Sequence, residues 1–180
     1  MTDERELAEA ALAKLRTAKD VEADEWPPVA RRIREARERL GLTEADIAAR
    51  LGIRPSEYWD IELHNDEAFD CFSVAHLGQL ATILGVSLDV LLFGSQFTVP
   101  TTCTSFATIV ERLRAVAEKE GLTIDELSDR IGWDLTAAVA NPETLNQFNL
   151  VGLRDVCRAI GIDWVSALPK FAMTDRQITG

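Results

Sequence analysis

The residues with the most evident chemistry in this 180-residue chain are six arginines and one tryptophan, all within Arg31 to Asp60. Arg31, Arg32, Arg34, Arg37 and Arg39 crowd one short segment, and Arg54 opens another. Guanidinium forks bind phosphate oxygens and purine edges, so Arg31, Arg34 and the hydroxyl of Thr43 are candidate phosphate contacts. Arg54, Pro55, Ser56, Glu57, Trp59 and Asp60 stand together as a candidate contact face. The same face admits a second chemistry, because a large aromatic set among carboxylates suits the anchoring of a basic protein partner. A plainer reading pairs the arginines with Glu35, Glu38 and other nearby carboxylates on a solvated helix.

Charge weighs on that choice. The chain carries a net −11, with the acidity spread over every segment. From Thr43 to Asp70 only Arg50 and Arg54 are basic, against Glu44, Asp46, Glu57, Asp60, Glu62, Asp66, Glu67 and Asp70. Nucleic-acid affinity comes largely from cations that displace condensed counterions, so a face near −6 repels DNA. What favours DNA is the surplus of three positive charges over residues 29–40, together with Arg54.

Other chemistry is sparse. His64 and His76 are the only histidines, and neither has a metal-type spacing to a cysteine. His64 with Asp66 and Glu67 reads as a solvated turn. No phosphate loop, nucleophile elbow or paired-carboxylate motif stands out, so neither catalysis nor a cofactor nor a metal is expected. Cys71, Cys103 and Cys157 are odd in number and far apart, and are read as reduced thiols, mostly buried. No apolar run reaches membrane-spanning length, and the acidic opening Met1 to Glu6 lacks the features of a signal peptide. The expectation is a soluble, cytoplasmic protein.

The elements that must hold these residues are helical, since apolar residues recur at three- and four-residue steps throughout. Leu7, Ala8, Ala11, Leu12, Leu15 and Ala18 predict an amphipathic helix from about residue 4 to 19, ended by Trp26-Pro27-Pro28. It is a dimerisation arm or a helix docked on its own chain. Val29, Ile33, Ala36 and Leu40 predict the next helix, stopped at Gly41. Thr43 caps another, ended at Gly52, and Pro55 opens a third over about 55–63 with Tyr58 and Ile61 inward. Residues 64–67 read as a turn. Helices over about 74–84 and from Ser87 to about Phe93 complete the set. That spacing leaves Trp59 outward, with three fates open: cover from its own chain, contact with a protein, or contact with nucleic acid.

The pattern then returns. Gly41-Leu42-Thr43 through Leu51-Gly52 is echoed by Gly121-Leu122-Thr123 through Ile131-Gly132, 80 positions on, and Leu77, Leu80, Leu84 and Gly85 by Leu153, Val156, Ile160 and Gly161, 76 positions on. The second copy is therefore four residues shorter in its middle. The order of helix, Gly-Leu-Thr, helix, Leu-Gly-Ile, helix, turn and Leu84-Gly85-Val86-Ser87-Leu88 resembles the phage-repressor and Cro type of helix-turn-helix, the XRE family. Residues 105–168 resemble it more weakly.

The resemblance implies an all-α fold of two tandem helix-turn-helix bundles of about five helices each. The implied division is 1–28 as helix and linker, 29–94 and 105–169 as the two bundles, 95–104 as linker and 170–180 as tail. It further implies a DNA-binding regulator whose helix after Gly52 enters the major groove, with Arg54, Pro55, Ser56, Glu57, Trp59 and Asp60 as the positions that match its reading face. The chain departs from the family by placing Glu44 after the capping threonine, where a glutamine is usual, and by its acidic third helix. The second copy offers no basic side chain from Trp133 to Ala140 and is broken by Asn141-Pro142, which suits packing or dimerisation. The alternative is a repurposed acidic scaffold that binds a protein, in the manner of an antitoxin or an immunity-like partner. A homodimer is open in either case.

Overall fold

A computed structural model describes residues 28–95 and 103–168; the expected helix over 4–19, most of the linker and the tail lie outside them. The described residues are helical, with one isolated antiparallel bridge as their only β pairing. The first half runs α1 (Val29–Arg39), α2 (Glu44–Leu51), α3 (Pro55–Leu63), α4 (Glu67–Asp70), α5 (Val74–Ile83) and α6 (Leu88–Phe93). The second runs α7 (Phe106–Glu120), α8 (Ile124–Ile131), α9 (Thr136–Ala140), the 3-10 turn η1 (Pro142–Gln147), α10 (Leu150–Ala159) and the 3-10 turn η2 (Trp164–Ala167). Among the described residues no helix is long and apolar enough to cross a membrane.

Local chemistry explains the boundaries. The Thr43 hydroxyl accepts from the Asp46 amide while the Asp46 carboxylate accepts from the Thr43 amide, a reciprocal cap. Thr123 and Glu126 make the same cap on α8. Gly52 and Gly132 then end α2 and α8 with φ of 71° and 86°, a region costly to residues with a Cβ. One helix was not anticipated. The turn after α3 runs on into α4, whose Ala68 and Phe69 are buried.

Ile33, Ile47, Tyr58, Ile61, Leu77, Leu80 and Leu92 are sealed in the first half, Ile109, Leu113, Leu127, Ala138, Leu153 and Val156 in the second, and all join one cluster. The seam between the halves is reciprocal. Ser73 bridges Asn149, and these residues lie 76 positions apart, the offset of the repeat at that point. α4 packs on α10 while its counterpart η1 packs on α5. Equivalent positions thus meet at the seam, and each half packs the matching element against the other. The Val74 amide donates to the Phe148 carbonyl at 2.8 Å, and the Asn149 side chain donates to the Asp70 carbonyl.

The expected burial of the thiols needs correction. Cys157 is buried in α10, but Cys71 and Cys103 are exposed. Cys71 follows the last residue of α4, and Cys103 sits ahead of the Ser105 cap of α7; neither falls on an inward helical stripe.

Candidate functional site

The site is the outer side of α3 and what borders it. Arg54 precedes Pro55, whose missing amide costs nothing at a helix start, and the Arg54 amide donates to Glu57 Oε2 at 2.9 Å. α3 turns Tyr58, Ile61 and Glu62 inward, all essentially sealed. Ser56, Trp59 and Leu63 therefore face solvent. Trp59 is 50% exposed and Leu63 42%, and with Leu40 they are the exposed large hydrophobic side chains of the described residues.

A buried ion pair fixes α3 against α1. Arg37 Nε and Nη2 donate to the two oxygens of Glu62 at 2.6 and 2.7 Å, and Arg34 donates to the Glu62 carbonyl at 2.6 Å. Burial pushes the Glu62 carboxyl up, but Arg37, Tyr58 and Arg34 together outweigh it and hold it below the usual carboxylate range. The Tyr58 hydroxyl is buried next to the same carboxylate, and burial together with that carboxylate pushes the phenol pKa up.

The predicted phosphate contacts are all committed within the chain. Arg31 pairs with Glu35 at 3.5 Å across one helical turn. Arg34 is half-buried on Glu62. The Thr43 hydroxyl donates to Asp46 at 2.6 Å while accepting from its amide. Arg54 folds back onto Glu57, Nε and Nη2 meeting one carboxylate oxygen at 3.0 and 2.6 Å. That hydrogen bond raises the guanidinium pKa and lowers the carboxyl pKa, each holding the other charged. The candidate face thus gathers Arg54, Pro55, Ser56, Glu57, Trp59 and Asp60 on one helix, but its cation is matched by its own neighbour.

Beside α3 lies a cleft of about 350 Å³ that the sequence did not reveal. Its lining combines the apolar Ile53 and Phe72 with the carboxylates of Glu57, Asp60 and Glu67, and with Cys71 and His76. His76 Nδ1 lies 3.0 Å from the Ser73 hydroxyl that caps α5. A hydrogen bond to Glu67, burial and the charges of Glu67, Asp70 and Asp66 push the Cys71 thiol up to about 11, which keeps it protonated near neutrality. His64 and Asp66 are exposed in the turn, and no group of His, Cys, Asp and Glu among the described residues is arranged to hold a metal ion.

The second half fills the matching place. Trp133 stands where Ile53 stands in the first copy, and Gly152 where His76 stands. The Trp133 ring lies against Gly152, so closely that a Cβ there would come within 3.0 Å of it, and 5.7 Å from the Phe148 ring. A broader open hollow remains beside it, lined by Asp125, Asp129 and Asp134.

Compared with family models, curated proteins and solved structures, the chain finds no match.

Proposed function

We propose that this chain is a cytoplasmic protein-binding module, built on a helix-turn-helix scaffold used twice, in which α3 of the first copy is the contact face and the second copy is its platform. The observation that carries the reading is the pairing of Trp59 and Leu63, both about half exposed, on the outer side of a helix whose flanking charges are carboxylates. Exposed tryptophan beside leucine is costly to leave in water and is typical of contact hot spots. Arg54 adds only slight support, since its pair with Glu57 is exposed to solvent and competes weakly with a phosphate for the guanidinium.

The second reading is a DNA-binding regulator of the XRE type, with the second bundle used for packing or dimerisation. It draws on the capped helix pair α2–α3 around Gly52, and on Arg31, Arg50 and Arg54, all exposed. Two experiments divide the readings. A photo-crosslinking residue in place of Trp59 is expected to capture a discrete protein in cells. Labelled duplex DNA is expected to show no salt-dependent binding at low ionic strength. Absence of crosslinks, together with DNA binding weakened by Arg54→Ala, would reverse the choice.

A further inference from the structure

We propose that the partner of this face presents a basic amphipathic helix, laid along α3 with its apolar side on Trp59 and Leu63 and one lysine or arginine reaching into the cleft bounded by Asp60 and Glu67. This rests on the protein-binding reading above and names the partner's chemistry.

The geometry points to one continuous surface with two characters. On a helix of about 3.6 residues per turn, Trp59 and Leu63 lie roughly 40° apart and Glu57 and Asp60 roughly 60° apart. The apolar ridge is turned away from the buried Tyr58 and Ile61, and the acidic sector lies between the two, with Asp60 next to Leu63 and Glu57 at the edge of the buried face beside Ile61. An amphipathic helix has the complementary layout, a stripe of apolar side chains bordered by charged ones. The sign of its charge follows from the cleft. Glu57 is paired with Arg54, which leaves Asp60 and Glu67 as the carboxylates lining the cleft. Ile53 and Phe72 in the lining suit the methylene stem of a long cationic side chain, and the carboxylates suit its head. The cleft is specific to this half, since Trp133 fills the matching place in the other.

The test uses the full chain and a synthetic 18-residue leucine/lysine amphipathic helix, with a leucine/glutamate counterpart and polylysine as controls. The leucine/lysine peptide is expected to bind one to one, more weakly as salt rises, and at least about tenfold tighter than either control. Trp59→Ala, or separately Leu63→Ser, should weaken it by about tenfold, as loss of a hot spot does. Asp60→Lys with Glu67→Lys should do the same, whereas Asp125→Lys with Asp129→Lys, an equal charge change in the second half, should leave it within about twofold. Equal losses from both charge-reversed pairs, indifference to Trp59→Ala, or no binding would each overturn the proposal. Self-association abolished by Trp59→Ala, without peptide binding, would assign the face to a second copy and overturn it too. If crosslinks from position 59 persist while the peptide fails, protein binding stands and the basic helix falls; if both fail, both readings fall.

Discussion

The two halves solve the same packing problem with different materials. In the first, α3 is nine residues long and is held by Tyr58 and by the buried pair of Arg37 and Glu62. Eighty positions on from Arg37 and Tyr58 stand Ala117 and Ala138, both buried, and α9 is five residues long. The outward Trp59 has Val139 as its counterpart, half-buried, with its carbonyl accepting from Arg114 at 2.7 Å. The cleft beside α3 is open, whereas Trp133 fills its equivalent. The half with small residues keeps an open hollow but, among the described residues, exposes no large hydrophobic side chain, whereas the half with a long helix and a charged support leaves Trp59 and Leu63 exposed. Its support tolerates a polar or large outer face because the helix is positioned from beneath.

That difference can be broken from either side. The largest effect is expected at the buried pair. Glu62→Gln should cost about 3–4 kcal/mol by chemical denaturation, because the little-exposed Arg37 loses its two-pronged partner and keeps only Glu44, at 3.7 Å, and the Leu42 carbonyl. The pH dependence follows from the lowered Glu62 carboxyl. Its contribution is present above the ordinary carboxylate range and is lost as pH falls through the folded value, so Glu62→Gln should also flatten the acid limb of the stability profile. Next comes the filled cleft, where Trp133→Ala should cost about 3 kcal/mol. Gly152→Ala, which drives a methyl into the same ring, should cost about 1–3 kcal/mol, while His76→Ala at the matching position in the open half should cost less. Thr43→Ala and Thr123→Ala should each lose about 1 kcal/mol, since the caps are chemically alike in both halves. Trp59→Ala should change stability by no more than about 0.5 kcal/mol while weakening peptide binding about tenfold, which separates a contact face from a structural one.

Much of this frame was legible in the residues. Thr43, Gly52 and Pro55 announce a cap, a stop and a restart through side-chain and backbone chemistry that acts within four residues. The inward turn of Tyr58 and Ile61 follows from helical spacing alone, and so does the outward turn of Trp59. The committed state of Arg54 was within reach, since Glu57 lies three positions on at a helix start. What escaped had no local signature. α4 is four residues of Glu-Ala-Phe-Asp, too short to show a period. The cleft depends on Phe72 and His76 approaching α3 from a distant segment. Gly152 reads as a helix weakness until Trp133 is seen lying on it. The reciprocal seam left only a faint trace, Phe72-Ser73 answered by Phe148-Asn149, which gains meaning once those positions are found paired.

The most direct test of the account compares the indole resonances of the full chain during titration with the leucine/lysine peptide. The indole N–H of Trp59 should shift progressively and saturate at one equivalent, while that of Trp133, packed on Gly152 and Phe148, stays in place. A Trp59 signal that never moves, or a Trp133 signal that moves equally with it, would contradict the claim that only the first half offers a contact face.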